Sequence, residues 1–396
     1  MKKVAIIGAG ISGLFFANLL RQNPEYEITI YEKNNSIDLE IGYGIQLSIN
    51  SVKLLNKIGF QNISSKEKFH PNKLDFYSLN NNSKICDLNI SAFNDGDLKY
   101  TTLRRSTLIQ FLKNKLPSNL LNYNKKVINV DQSKKKIKVN FEDKSLIDCD
   151  YLIVCDGVFS STKSLIVNKE IKPKYFNSIA IRAKVEKNYF QDLVHSNISL
   201  FLGSNLHSVI YPMDKSNELN FISILRKKLT QSEINNFSLF DDKKFISSVL
   251  SEISKQIKPE KLKNLKDIKC FPIFVSEKIY NSENKNIFLL GDAFFTFPPT
   301  FAQGTSQSIE VAFELYKSLH DDKDQFNIRR IKRIKMINNK SRFNTFVFHL
   351  SNPFIIVIRS KANTNCLHIR FDVLHGVKNP QTVVNGSARR IDIQIN

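Results

Sequence analysis

Three short stretches combine residue types and spacings that suit a phosphate-bearing cofactor. The first is Gly8-x-Gly10-x-x-Gly13, set between an apolar run at 4–8 and a helical stretch from 14 to about 21. Gly8 permits a tight turn, Gly10 lets backbone approach a pyrophosphate, and Gly13 lets the helix pack closely on the strand. The helix N-terminus then turns its positive end to the phosphates. Glu32 falls 19 residues after Gly13 and closes the β-branched, aromatic run at 27–31. A carboxylate there accepts hydrogen bonds from ribose hydroxyls and repels a 2′-phosphate, so the pattern reads as an FAD or NAD site rather than an NADP site. A Gly-rich turn without a ligand is the competing reading, and the strand–turn–helix setting argues against it.

The second stretch ends the apolar run 151–154 with Cys155-Asp156-Gly157 and brings Ser160 three residues later. Alone it is equally an ordinary strand-to-turn junction. The third runs from 287 to 290 into Gly291-Asp292-Ala293, then Pro298-Pro299, then Gln303-Gly304-Thr305. A strand delivers an acid at its C-terminal end, and a proline-stiffened loop leads into a new helix. Gly304 keeps that helix entrance open, so backbone N–H groups can face a ligand.

The elements around these stretches fall into two textures. Residues 4–8, 14–21 and 27–31 make one β-α-β unit, and helical patterns follow at 51–58 and 103–116. Strand patterns at 127–130 and 137–141 suggest a hairpin around Lys134-Lys135-Lys136. From about 175 to 230 alternating apolar residues dominate, as in 198–203 and 208–212, which predicts a β-rich region. Residues 240–268 read as helical and Lys-rich, and a helix pattern resumes from about 325.

Composition narrows the classes. The chain has 396 residues, 42% hydrophobic and 24% charged, so it can bury large cores and is not wholly disordered. At roughly 100–200 residues per domain, two or three domains fit. The net charge is +21. Lys is spread along the chain beside abundant Asn and Ile, and no nucleic-acid recognition motif accompanies it, so nucleic acid is not expected as a partner. Cys86, Cys149, Cys155, Cys270 and Cys366 are odd in number and form no CxxC, which argues for a reducing compartment and against a zinc site or disulfide frame. Met1-Lys2-Lys3 and the apolar run to Leu20 mimic a signal peptide, but no small-residue cleavage site follows. No stretch reaches the ~18 uninterrupted apolar residues of a spanning helix. A cytoplasmic, soluble protein without a metal is the expectation.

Taken in order, the three motifs resemble those of the class A FAD-dependent monooxygenases, the single-component flavoprotein aromatic hydroxylases that include salicylate hydroxylase-like and ubiquinone-biosynthesis hydroxylases. A fourth element, Thr102-Leu103-Arg104-Arg105-Ser106-Thr107-Leu108, resembles the family's Arg-x-x-Leu helix start. Lesser echoes are 42–47 with Asn50, and His207-x-x-x-Tyr211-Pro212. The resemblance covers roughly residues 2–350.

It implies an α/β fold: a Rossmann-like FAD-binding domain of discontinuous segments (1–70, 101–172 and 270–325), a mainly antiparallel β-sheet substrate domain (71–100 and 173–269), a C-terminal helical segment (326–360) and a divergent tail (361–396). Gly8, Gly10, Ser12 and Gly13 would cradle the FAD pyrophosphate. Glu32 would hold the adenosine ribose with Lys33 beside it, and Val127 would touch the adenine end through its backbone. Arg105 would contact the ribityl-pyrophosphate region. Asp156 would lie near the pyrophosphate and the nicotinamide route, and Asp292 would bind the ribityl chain. The helix starting near Gly304 and Thr305 would aim its positive end at the flavin pyrimidine and stabilise negative charge on the reduced flavin.

The implied chemistry is hydroxylation of a small aromatic or quinone-like substrate. NADH or NADPH reduces FAD, O2 adds to give a peroxyflavin, and its distal oxygen passes to the substrate. Water must be excluded, and Phe294, Phe295, Phe297 and Phe301 are candidates for that lining or for plain core. A phenol must lose its proton, for which His207 and Tyr211 are candidate bases or orienters and Arg182 a candidate anion clamp. A monomer or homodimer is expected. The sequence departs from the family's pattern at four points: Phe294-Phe295 stand where Ala-His is usual, Ala302 where Gly precedes Gln-Gly, Val311 where Asp often follows the Glu, and Lys163 where the Asp-Gly motif carries Arg. Two alternatives follow: a flavin reductase or dehydrogenase of the same fold, of the geranylgeranyl reductase type, and a catalytically idle flavin-binding protein. Basic residues cluster from Arg329 to Arg342 ahead of Phe343, Phe346, Phe348 and Phe354. A solvated helix face followed by a core-packing segment is favoured there over peripheral contact with an anionic membrane.

Overall fold

Continuous apolar runs such as Tyr151–Val154 and Ile287–Leu289 have no polar side to offer water, and both are buried from end to end. They sit in a five-stranded parallel sheet, the arrangement in which both strand faces are covered. Its order is Ile287–Leu289, Tyr151–Val154, Lys2–Ile7, Tyr26–Tyr31, Leu121–Asn122. The structure is a computed structural model and describes residues 1–349 other than 38, 40–42, 133–135 and 322. The first helix, Ile11–Leu20, is buried on nearly every side, as its apolar composition requires. It packs between the sheet, the Arg105–Asn114 helix and the Gly304–Asp321 helix.

The second sheet has seven strands. Its order is Lys266–Val275, Lys174–Glu186, Glu218–Arg226, Leu206–Pro212, Ile198–Gly203, Lys73–Ser78, Lys84–Asn89. All pairs are antiparallel except Ile198–Gly203 with Lys73–Ser78, which run parallel. Period-two alternation gives it two faces. Leu206, Ile210, Phe221 and Leu225 pack against the Lys243–Ser254 helix through Val249 and Ile253. On the other face Val209 and Tyr211 pack with Ile49, Tyr100 and Met213.

A small antiparallel sheet joins the two. Thr101–Arg104 lies between Gly44–Leu47 and Lys68–Phe69. Thr102 Oγ1 donates to Pro212 O at 2.6 Å, and Gly44 N–H donates to Asn220 Oδ1 at 2.7 Å. Arg104 bridges Asp214 and Glu218, both at 2.8 Å.

Several boundaries differ from the sequence reading. Residues 103–116 split into a strand, Thr101–Arg104, and a helix, Arg105–Asn114, because 101–104 pair with Gly44–Leu47. The helix expected at 51–58 is Ile49–Asn56, with Ser48 accepting from the Ser51 N–H as N-cap. Residues 240–268 are helical only at Lys243–Ser254 and Pro259–Leu262 apart from a 3-10 turn at Phe237–Asp241. The strand Lys266–Val275 then pairs along Lys174–Glu186, so a boundary between 269 and 270 would cut one strand in two. The last described helix is Lys323–Phe348. Residues 350–360, the tail 361–396, Cys366 and the expected hairpin tip at 133–135 lie outside the described residues.

Candidate active site

The Gly-rich turn has the geometry its spacing requires. Gly8 has φ +102°, and a Cβ there would lie 2.6 Å from Cys155 O, so the turn presses against the end of a neighbouring parallel strand. A Cβ on Gly13 would lie 2.2 Å from Gly8 O. Gly10 differs, with no atom within 4 Å of the position its Cβ would take. It is the N-cap of the first helix and supplies no side-chain cap, so the open side of the turn faces the helix's first N–H groups. Glu32 is held beside them: its Oε2 accepts from Ala9 N–H at 2.9 Å and its Oε1 from Asn34 N–H at 3.0 Å. Lys33 is exposed next to it. Lys125 N–H donates to Glu32 O at 2.9 Å, which brings the start of the Val127–Asp131 strand to this corner. Ser12 departs from expectation. Its hydroxyl donates to Ser308 O at 3.1 Å and packs under Gly291, so it ties the first helix to the Gly304–Asp321 helix instead of facing the open side.

Four charged side chains from distant segments meet near the sheet's C-terminal edge. Asp292 opens to solvent in a cleft yet is surrounded by protein at longer range. The loss of hydration pushes its carboxyl up to about 6, opposed first by Arg105 and then by Lys163. Asp156 is pushed up by burial, and Thr162 N–H donates to its Oδ2 at 3.3 Å. Its Oδ1 is buried without a hydrogen-bond partner. Lys163 is only 4% exposed. Burial pulls its ammonium down, while Asp156 and Asp292 hold it up. The cleft at Asp292 is shallow and open to solvent and is lined by Phe294, Phe295, Phe297, Gly304 and Arg330, among others. Phe294, Phe295 and Phe297 also belong to the apolar cluster behind it, so cleft wall and core are here the same side chains. The side chain of Phe301 lies outside the described residues. Gly304 has open space where a Cβ would be, and Thr305 follows it in the first turn of its helix.

The substrate-side candidates divide. Arg182 Nη2 donates to Gly44 O at 2.8 Å, and its guanidinium lies 5.2 Å from the Tyr43 ring centroid. Its Nε is buried without a partner. Gln46 and Arg182 reach the Tyr211 hydroxyl, which burial pushes up to about 12. The Tyr211 hydroxyl stays protonated near neutrality and is available for hydrogen bonding. His207 lies four residues earlier on the same strand and is 1% exposed. Its Nδ1 is 2.8 Å from His349 Nε2, with the Phe348 ring beside it. Burial, then the His349 imidazole, hold it well below its ordinary value. The placement turns the His207 ring toward His349 and Phe348.

Three residues of this site were not singled out as such from sequence. Lys163 appeared only as a departure from pattern, Arg330 only as part of a charge run, and Gln46 only within a weak echo. Each acquires its place through tertiary contact, and no local spacing marks it. Among the described residues no cluster of three or more His, Cys, Asp or Glu could hold a metal ion, and no helix is long and apolar enough to cross a membrane. Cys86, Cys149, Cys155 and Cys270 are free thiols.

Comparison with known proteins agrees with this geometry. Residues 1–321 match the family model described as FAD binding domain. The chain is 22% identical over 363 residues to 6-hydroxynicotinate 3-monooxygenase of Bordetella bronchiseptica, spanning 89% of this chain and 93% of that one. It is 20% identical over 357 residues to salicylate hydroxylase of Pseudomonas putida, spanning 82% and 78%. Among solved structures, Klebsiella pneumoniae HpxO complexed with FAD and uric acid superposes with a TM-score of 0.79 at 17% identity, covering 94% and 96%. A salicylate hydroxylase substrate complex superposes with a TM-score of 0.74 at 16% identity, covering 96% and 99%.

Proposed function

The chain belongs to the FAD-binding-domain family of flavoprotein aromatic monooxygenases, and from that premise we propose that it hydroxylates a small anionic aromatic compound held between Tyr211 and Arg182. The observation that carries this reading is the Arg182 guanidinium on the inner face of the seven-stranded sheet, with Nε unpartnered and Tyr211 beside it. A buried cation with a spare N–H is built to receive a carboxylate or phenolate. Salicylate hydroxylase and 6-hydroxynicotinate 3-monooxygenase are named for compounds of that kind.

The residues present fit FAD. Gly10 and Gly304 leave open space at two helix N-termini, Glu32 is fixed at the adenosine end, and Asp156 Oδ1 lacks a partner. FAD would supply electron transfer from NADH or NADPH and activation of O2. Gly8, Gly10 and Gly13 would admit the pyrophosphate, Glu32 would accept from the ribose hydroxyls, and Val127 would border the adenine. Arg105 and Lys163 would neutralise phosphate charge and hold Asp292 ionised for the ribityl hydroxyls. The first turn at Gly304 and Thr305 would face the flavin ring with its positive end. Phe294, Phe295 and Phe297 would keep water from the reacting face. Arg182 would orient the substrate anion, and the Tyr211 hydroxyl would hold the phenol oxygen. In domain terms the five-stranded sheet would carry the cofactor and the seven-stranded sheet the substrate, with the boundary set after Val275.

The test is steady-state oxidation of NADH with a panel of aromatic acids and phenols. Arg182→Met is expected to raise KM for carboxylate-bearing aromatics at least tenfold, about 1.4 kcal/mol, with kcat and FAD content little changed. Equal loss for charged and uncharged aromatics would remove the anion-clamp role.

A further inference from the structure

The Lys323–Phe348 helix has two faces. Its inner face buries Phe326, Arg330, Ile334, Ile337 and Ser341, and Arg330 and Ile334 reach the Asp292 cleft. The acids packed against it are consumed there: Glu310 pairs with Arg333, and Glu314 with Arg329 and Arg330. Its outer face was expected to be merely solvated, with the phenylalanines beyond it packed in the core. The structure divides that expectation: the basic side chains are solvated and Phe348 packs beside His207, whereas other large apolar side chains of the helix are exposed. Ile328 and Phe346 are each 61% exposed, Phe343 42% and Met336 36%. Lys332, Lys335 and Arg342 are exposed among them, and the Arg342 guanidinium also lies 5.7 Å from the Phe176 ring. At 3.6 residues per turn these side chains fill one arc of roughly 120°, along a helix about 39 Å long. No Asp or Glu occurs between Phe326 and Phe343.

We infer that this outer face docks on an anionic lipid surface. Cations alone would suit any polyanion, but four large apolar side chains between them need an apolar phase, which a phosphate backbone lacks. A protein groove would take a narrow apolar stripe at helical spacing. Here apolar and basic residues are interspersed over a broad arc, as on helices that lie in the headgroup region. The inference stands apart from the proposed reaction, since it rests on the opposite side of the helix from the cleft.

The test is co-sedimentation of the FAD-loaded, full-length protein with phosphatidylcholine vesicles, with and without phosphatidylglycerol. Binding is expected only with phosphatidylglycerol and is expected to weaken as salt rises. The pair Lys332→Gln/Lys335→Gln should lower the partition coefficient roughly 30-fold. The pair Ile328→Ser/Phe346→Ser should lower it at least tenfold at low and high salt alike. An unchanged flavin spectrum and melting temperature in both variants would show that the fold is intact. Absence of binding to anionic vesicles, or binding that neither pair weakens, would overturn the proposal. Binding lost with the lysines but kept by the apolar pair would also overturn it, because it would reflect charge adherence without insertion.

Discussion

Gly10 and Gly13 stand three residues apart and differ in what lies beside them. A Cβ on Gly13 meets backbone at 2.2 Å, whereas one on Gly10 meets nothing within 4 Å. Gly13→Ala is therefore expected to cost about 1–3 kcal/mol of stability and to lower FAD affinity with it. Gly10→Ala should leave the FAD-free stability within about 0.5 kcal/mol of the parent while weakening FAD at least tenfold. Melting curves beside flavin titration separate the two, and a Gly10 variant with parental FAD affinity would move the pyrophosphate elsewhere. Asp292 carries a pH signature. Its raised pKa means that the FAD-free fold carries the full penalty for the charged carboxylate above about 6 and sheds it progressively as pH falls from there to the ordinary carboxylate range. Asp292→Asn should thus melt higher than the parent at about pH 8, keep part of that advantage at about pH 5 and lose it only at about pH 3, with FAD affinity reduced at about pH 8. These residues were legible in sequence because the turn demands glycine and the strand end demands an acid. Lys163 was not, because its position between Asp156 and Asp292 exists only once three segments meet.

Elements show where local pattern stops deciding. The pattern at 103–116 reads as helix, yet residues 103 and 104 are strand, since pairing with Gly44–Leu47 overrides weak local preference. The helical pattern at 240–268 runs into residues 266–268, which the long ladder to Lys174–Glu186 makes the start of a strand. The first helix and the buried parallel strands were legible, because uninterrupted apolar runs have few alternatives. The loop before the Gly304 helix keeps a sign of its pattern. Ala302 stands where the family has glycine, and its φ of +50° is left-handed. That conformation is unfavourable for a residue with a Cβ, so Ala302→Gly is expected to stabilise the protein by about 0.5–1 kcal/mol without changing FAD affinity. Chemical denaturation of the FAD-free protein reads this directly. Destabilisation would mean that the alanine methyl group packs usefully.

At the scale of the whole molecule, two sheets of opposite character are connected by a small third one. The parallel sheet positions an open Gly-rich turn, Asp156 and Asp292, and the mixed sheet brings Arg182 and Tyr211. The small Gly44–Leu47 sheet ties them, through Asn220 to Gly44 and Arg182 to Gly44. The change from a parallel to a largely antiparallel sheet was foreseeable from the buried apolar runs and the change to alternating patterns near 175. The identity of the contacts between the halves was not, because Gln46, Asn220 and Arg182 lie far apart along the chain and follow no common spacing. Oxygen transfer to an aromatic anion can be followed by turning over the FAD-loaded protein with NADH or NADPH under ¹⁸O₂, with aromatic acids and phenols supplied one at a time, and weighing the product. One heavy oxygen atom in a hydroxylated product, with coenzyme oxidation accelerated by that same compound, is the predicted result. A bound flavin that the coenzyme reduces and oxygen reoxidises, with no heavy oxygen in any aromatic product, would contradict it.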